Sequence, residues 1–328
     1  MAWLVTGGAG YIGSHVVRAF LADGIDVVIV DDLSSGHADF VPAEVPFYRG
    51  SILDAELLGR LFAENTIDGV VHVAGFKYAG VSVQRPLHTY EQNVTATTVL
   101  LQAMQNAGVG RIVFSSSAAV YGTPDTDLVT EATPKSPESP YGESKLIGEW
   151  LLRDEGIATG LAHTSLRYFN VVGSGHDGLY DTSPHNLFPL VFEALLDGRT
   201  PRINGDDYNT PDGTCVRDYI HVEDLADAHL AAARWVAERD GGADLTVNIG
   251  RGEGVSVREL IDIVLEVTGR KDVEPVIMPR RAGDPASVVA SSELIRRELD
   301  WAATRGVREM VESAWEGWCL NHPQARGA

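Results

Sequence analysis

The chain has 328 residues, 44% of them hydrophobic, with 34 glycines, and carries a formal net charge of −20 from 26 Lys and Arg against 46 Asp and Glu. Such a length supports a large core and two lobes, while the acidic field argues against a role that tracks phosphates on nucleic acid or on anionic membranes. Two cysteines, Cys215 and Cys319, are too few for a disulfide framework or a cysteine-rich metal site, and with no charged leader and no apolar run of membrane-spanning length a soluble cytoplasmic protein is expected.

AWLVT (Ala2 to Thr6) reads as a buried strand. Ile12, Val16 and Phe20 then fall at four-residue spacing, with Val17 and Leu21 alongside, as in an amphipathic helix. DVVIVDD (Asp26 to Asp32), DGVVHVAG (Asp68 to Gly75) and RIVFSSS (Arg111 to Ser117) read as further strands, the last two separated by a helical stretch from about Leu87 to Ala107. Strands alternating with helices imply parallel pairing and right-handed crossovers, so the expected class is α/β with a Rossmann-type doubly wound parallel sheet. Past about Asn170 the composition shifts. VVGSGHDGLYDTSPHN and RINGDDYNTPDGTC are rich in turn residues, and VRDYIHVEDLADAHLAAARWVAE restores a strand followed by a helix. We expect residues 1–170, with a return at about 217–250, to form one domain, and 171–216 with 251–328 a smaller C-terminal α/β lobe.

The turn after the first strand is TGGAGYIGSH, which spaces Gly7, Gly10 and Gly13 three apart. Glycines there allow a tight turn, close backbone approach to a pyrophosphate and close packing of helix on strand. The N–H groups opening the next helix would face that diphosphate. Asp31 and Asp32 close the second strand, about twenty residues on, where adenosine ribose hydroxyls are gripped. A carboxylate there disfavours a 2′-phosphate, so NAD is expected rather than NADP.

FSSSAAVYG (Phe114 to Gly122) ends a strand with three serines, at the sheet edge where open α/β sheets bind ligands. SPYGESK (Ser139 to Lys145) follows, with Pro140 suited to a first helical position and Tyr141 and Lys145 on one face, a turn apart. A phenol of pKa about 10 is a poor base at neutral pH. A nearby ammonium and an oxidised nicotinamide ring both favour the phenolate. Tyr141 could then take a proton from a substrate hydroxyl, with Ser117 hydrogen-bonding that oxygen.

On the glycine pattern and the Ser117, Tyr141, Lys145 set, the chain resembles the extended short-chain dehydrogenase/reductase family. AGFKYAGVSV, LRYFNVVG, HNLFP, DGTCVRDYIHV and PRRAGDPA extend the likeness nearly end to end, and place it nearest that family's UDP-glucose 4-epimerase branch. The resemblance implies an isomerase that holds NAD tightly and interconverts UDP-glucose and UDP-galactose through a 4-keto sugar. It implies that Tyr11, Ile12, Asp31, Asp32, Leu33, Ser34, Ser35, Gly36, Ser51, Ile52, Val73, Ala74, Gly75, Phe76, Lys77, Asn93, Ser115, Tyr168 and Phe169 line the cofactor site with the three glycines. Lys77 would offset diphosphate charge, and Lys145 would also hold the nicotinamide ribose. At the UDP-sugar end it implies Lys77, Ser117, Tyr141, Asn170, Asn186, Leu187, Arg202, Ile203 and Asn204, with Arg217 and Arg281 on the diphosphate and Asp284 on the uridine ribose. Ser51 stands where well-known members carry Asp near the adenine, and Asn204 where some carry an aromatic residue against the uracil. Val288 holds a position occupied by a large tyrosine in epimerases restricted to simple hexoses, so N-acetylated UDP-sugars are expected to enter too. A homodimer is expected on the same resemblance.

Other readings were weighed. UDP-glucuronate or UDP-pentose epimerases differ only around the sugar C6. Sugar-nucleotide 4,6-dehydratases need an acid and a base beside the serine, where this chain has Ala118 and Ala119. A non-catalytic NAD sensor would need no base. His221, Glu223, Asp224 and His229 straddle a strand-to-helix junction without a recognised zinc spacing, so no metal is expected.

Overall fold

The computed structural model of the protein describes residues 2–176, 178–239, 241–280 and 284–327. The first half alternates as the apolar pattern requires: β1 (Ala2–Thr6), α1 (Tyr11–Ala22), β2 (Asp26–Asp31), β3 (Phe47–Arg49), α2 (Ala55–Glu64), β4 (Ile67–His72), α3 (Ala79–Ser82), α4 (Pro86–Tyr90), α5 (Ala96–Ala107) and β5 (Arg111–Ser117). Then come β6 (Leu128–Val129), α6 (Pro140–Thr159), β7 (Ala162–Tyr168), β8 (Asn170–Val172), α7 (Leu187–Leu196), β9 (Arg202–Asn204), β10 (Val216–His221), α8 (Val222–Ala237) and β11 (Asp244–Ile249). The chain continues through β12 (Gly254–Ser256), α9 (Val257–Val267), β13 (Val276–Met278), β14 (Ser287–Ala290), α10 (Glu293–Leu299) and α11 (Val307–Asn321).

Seven strands form one sheet in the order β11-β7-β5-β4-β1-β2-β3. Every pair in it is parallel. Strand side chains alternate between the faces, so each face has its own core. Trp3, Val5, Val27 and Ile29 pack with α1 and α8 on one side, and Leu4, Val28 and Val30 with α2 and α5 on the other. The order reverses at β1, whose neighbours are β4 and β2, and a crevice opens there above the strand ends. A second sheet, β12-β10-β14-β6 with β8 on β10, and a third, β13-β9, carry the other lobe. Its core gathers Phe188, Phe192, Ile203, Leu260, Ile261, Met310 and Trp318.

Some elements are shorter or more broken than the apolar pattern suggests. β2 ends at Asp31, because Asp32 turns out and its Oδ1 accepts from Ser34 N at 2.8 Å. β4 ends at His72, beyond which the chain rises into the crevice. The helical stretch from Pro86 to Ala107 is interrupted by a π segment, Glu91–Thr95. Such a bulge re-aims side chains and is common at functional sites.

Three buried histidines brace the sheet in neutral form. Thr97 Oγ1 donates to Asn93 O at 2.6 Å, so it accepts from His72 Nε2 at 3.0 Å. His72 Nδ1 therefore accepts from Thr6 Oγ1 at 2.8 Å, and Thr6 Oγ1 accepts from Ala74 N at 3.2 Å. His229 Nδ1 donates to Leu225 O at 2.8 Å and its Nε2 accepts from Ser115 Oγ at 2.7 Å. His15 donates to Tyr11 O from Nδ1 and accepts from Gly175 N. Burial lowers His15 and His72 to about 3 and His229 to about 4. An unfolded histidine titrates near ~6.5, so between roughly pH 4 and 6.5 the unfolded chain binds more protons and stability falls as pH falls. Thermal unfolding followed from pH 7 to pH 4 should show this loss, and His229→Asn should flatten the slope by up to about one proton. A slope unchanged by that substitution would remove His229 from the account.

Candidate active site

The crevice above β1 and β4 is a cleft of about 510 Å³, a size typical of small-molecule sites. Its floor is the turn between β1 and α1. Gly7 has φ of +71°, and a Cβ there would lie 2.8 Å from Ala74 N. A Cβ on Gly13 would lie 2.0 Å from Gly7 O. Only glycine permits this approach, and no side chain caps the first turn of α1, so N–H groups at Tyr11, Ile12 and Gly13 border open cleft. Asp31, at the end of β2, accepts from Ala9 N at 3.0 Å and Leu33 N at 2.8 Å. Burial raises its pKa, and the two backbone donors oppose that rise. It thus ties the glycine turn to the next loop and keeps lone pairs for ribose hydroxyls. Asp32, Ser34, Ser35, Ser51, Ile52, Val73, Ala74, Gly75, Phe76, Lys77 and Tyr168 also line the cleft.

Tyr141 and Lys145 close its far end. Ser139 Oγ caps α6 by accepting from Gly142 N at 3.2 Å, and Pro140 takes the first helical position. A Cβ at Gly142 would lie 2.5 Å from Ala119 O, so glycine lets this turn lie against the segment following β5. Ser82 Oγ accepts from Tyr141 N at 3.1 Å, and Asn93 Nδ2 donates to Ser144 Oγ at 2.8 Å. The motif is therefore clamped from the helices on its other side. Tyr141, Lys145 and Ser117 are all buried. Burial raises the Tyr141 phenol, with the Ser117 hydroxyl pulling it the other way. Lys145 Nζ donates to Ser115 O at 2.8 Å and lies 5.9 Å from the Tyr141 ring centroid. Burial pushes the lysine down to about 8, and Glu149 opposes that shift. In the protein alone burial is the larger cause and favours the protonated phenol; the expected pull by Lys145 is not among the causes of the shift.

Several expected residues act from behind the lining. Asn93 accepts from Phe76 N at 2.7 Å and donates to Phe76 O at 3.0 Å, which fixes the Phe76 and Lys77 segment. Leu33 and Gly36 shape the loop after β2, Leu33 with φ of +61°. Phe169 packs with Val288 against Val120, Tyr121 and Leu146. The Ser115 hydroxyl bonds His229 inside the sheet, so only its carbonyl reaches Lys145. Ser117 is set beside the Tyr141 phenol and outside the lining of the cleft, and the two-residue alternation puts Ser115 on the same face, deeper in the sheet.

At the other lobe Arg217 and Asp284 form an ion pair, and Arg217 also donates to Pro285 O at 2.7 Å. Val288 faces Arg217 across β14 and β10. Asn170 donates to Asp218 O at 3.1 Å, and Asn186 donates to Asp181 Oδ2 at 2.6 Å just before Leu187 opens α7. Arg202 and Asn204 flank Ile203 on β9. Ile203 is fully buried in the second core, so its side chain is structural and only its backbone could meet a ligand. Arg281 lies outside the described residues. His221, Glu223, Asp224 and His229 are spent on other contacts, Asp224 taking Thr304 and Arg305, and among the described residues no group of three or more such side chains could hold a metal.

The cleft also uses residues that sequence reading missed: Gly50, Tyr78, Arg85, His88 and Gln92. Arg85, His88 and Gln92 lie at helical spacing, i, i+3 and i+7, so a polar stripe that starts just before Pro86 was the available signal. Asp181 faces the cleft cation Lys77 and opposes the lowering of its pKa by burial.

A glycine-cradled cleft at the switch point of a doubly wound sheet, with a buried tyrosine and lysine at one end, defines a nucleotide-dependent α/β enzyme. The NAD dependent epimerase/dehydratase family model matches residues 3–250, and the chain belongs to that family. It is 47% identical to the UDP-glucose 4-epimerase of Azospirillum brasilense over 91% of this chain and 86% of that one. To the UDP-glucose 4-epimerase of Streptomyces lividans it is 44% identical over 98% and 97%. The crystal structure of UDP-glucose 4-epimerase from Bifidobacterium longum, in complex with NAD+ and UDP, superposes with a TM-score of 0.89 at 39% identity, covering 99% and 100%.

The residues present fit NAD: the cradle excludes any Cβ, the cleft has the room, and Asp31 sits where a ribose would be held. Gly13→Ala forces a methyl group against the Gly7 backbone and should cost about 1–3 kcal/mol and abolish NAD binding. Urea unfolding and calorimetry would check both; parent-like values would remove Gly13 from the cradle.

Proposed function

We propose that the protein interconverts UDP-glucose and UDP-galactose at C4 through a 4-keto sugar, as an NAD-dependent 4-epimerase. The observation that carries this reading is the buried Tyr141 phenol, with Ser117 on its oxygen and Lys145 one turn away, at the end of a glycine-cradled cleft. Gly7, Gly10, Gly13 and the first turn of α1 would hold the diphosphate of NAD, Asp31 the adenosine ribose, and Lys145 the nicotinamide ribose. When bound, NAD supplies hydride acceptance and return at the sugar carbon, and a positively charged ring near the phenol.

Tyr141 takes the proton of the C4 hydroxyl and later returns it to the same oxygen. Ser117 hydrogen-bonds that oxygen in both directions. The cation of Lys145 favours the phenolate against the burial that raises it. Arg217 exchanges its internal partners for the diphosphate of UDP, aided by Arg281, and Asp284 is freed for the uridine ribose. Asn170, Asn186, Leu187, Arg202, Asn204 and the backbone of Ile203 complete the nucleotide end. Lys77 and Arg85 provide local positive charge against the −20 of the whole chain. Dehydration is disfavoured because Ala118 and Ala119, not carboxylic acids, follow Ser117.

The same reading assigns residues 1–170 and about 217–250 to an NAD-binding domain and the remainder to a UDP-sugar-binding domain. It makes the protein a homodimer through α4 and α6, supported by exposed Leu87, Trp150 and Ile157 on those helices. It is a cytoplasmic enzyme; no disulfide occurs among the described residues.

Incubating the purified protein with UDP-galactose, without added NAD, should yield UDP-glucose with no net cofactor reduction. Tyr141→Phe should lower turnover by about 10²–10⁴-fold while retaining NAD. A parent protein that leaves UDP-galactose unchanged overturns the reading. Val288 is small and half-buried beside Phe169, so UDP-GlcNAc should also be converted and Val288→Tyr should suppress that activity selectively. Failure of the parent on UDP-GlcNAc confines it to simple hexoses.

A further inference from the structure

Tyr141, Lys145 and Glu149 follow one another at four-residue spacing on the buried face of α6. Glu149 is 7% exposed and its partner Arg167 6%. Arg167 grips it with a fork: Nε donates to Oε1 at 2.8 Å and an NH2 donates to Oε2 at 2.6 Å. Ser116 Oγ, between the two serines at the site, donates to Oε1 at 2.6 Å. Arg167 is itself held, donating to Tyr121 Oη at 2.8 Å, while Tyr121 donates to Asn248 Oδ1 at 2.7 Å. Three donors thus converge on one buried carboxylate.

Every group facing Lys145 bears on its charge. The Ser115 carbonyl accepts from it, the Phe114 ring lies 5.0 Å away, and the Tyr141 ring 5.9 Å. His72 on β4 is neutral, and its own pKa is lowered in part by Lys145. Glu149 is thus the anion facing the lysine, and it resists the loss of the lysine's proton that burial promotes.

We propose that Glu149 is a positioning residue for the reaction, an anion locked by Arg167 and Ser116 one turn beyond Lys145 that keeps the lysine an ammonium in the working pH range. The inference rests on the epimerase reading. An ion pair that only glued α6 to β5 and β7 would have no reason to move the lysine's titration, and this separates the two roles.

The test uses the full-length NAD-loaded protein with ¹⁵N-labelled lysine, its Lys145 signal assigned against Lys145→Arg. In Glu149→Gln the Lys145 titration should fall by roughly one pH unit, and the basic limb of the kcat profile should move down with it. Glu149→Asp, which keeps the charge, should restore both toward the parent. If Glu149→Gln does not fold, the double substitution Glu149→Gln with Arg167→Met removes both halves of the buried pair and should show a smaller shift in the same downward direction, because a cation is lost with the anion. An unmoved Lys145 titration in either folded variant overturns the proposal. Absence of epimerisation by the parent would instead sink the catalytic reading, and the lysine signal would still decide whether Glu149 governs Lys145.

Discussion

The close seating of α6 against the serine-ended strand β5 is the contact on which the site depends. Gly142 admits the Ala119 carbonyl where any side chain would collide, and Lys145 donates to Ser115 O. That approach carries Tyr141 to Ser117 and takes both the phenol and the ammonium out of water. Desolvation is costly for either charge. Burial raises the phenol and lowers the lysine, Ser117 opposes the first shift and Glu149 the second, so each group leans on a polar neighbour. Glu149, Arg167 and Ser116 extend the set into the sheet, so the reactive end of the helix is braced by a fully bonded polar layer rather than by apolar packing alone.

The cofactor end rests on backbone geometry. The glycine turn, the uncapped first turn of α1 and the double acceptance by Asp31 form one unit. The directional chain from Ala74 through Thr6, His72 and Thr97 to Asn93 ties that unit to the clamp on Phe76. Shifting any link by an ångström would leave a buried donor or acceptor unpaired, at a cost of about 1–3 kcal/mol. Neutral histidines suit this work because each presents one donor and one acceptor with a fixed sense.

Charge divides the labour between the lobes. An acidic molecule repels a dianionic nucleotide at a distance, so recognition must come from cations held at short range. Lys77, Arg85 and Lys145 line the cleft, and Arg217 is paired with Asp284 on the other lobe. Pairing keeps Arg217 in place without leaving a half-buried cation bare.

Much of this was legible in the chain. Apolar runs, glycine spacing and the Tyr141 and Lys145 pair are local patterns, so they announced the parallel sheet, the dinucleotide turn and the shared face of the tyrosine and lysine. Periodicity could not tell that Ser115 and Ile203 point inward, because burial depends on which strand lies alongside. It could not tell that Arg85, His88 and Gln92 would reach the cleft, because the π segment and the fold of α3 onto α6 set that wall. Nor could it show that Arg217 and Asp284, far apart in sequence, neutralise one another. The order of residues by itself determined which groups were available and at what local spacing, since backbone sterics act over a few residues. Only the tertiary structure decided which of them lost water and which found a partner, because desolvation and long-range hydrogen bonds exist only once distant segments meet.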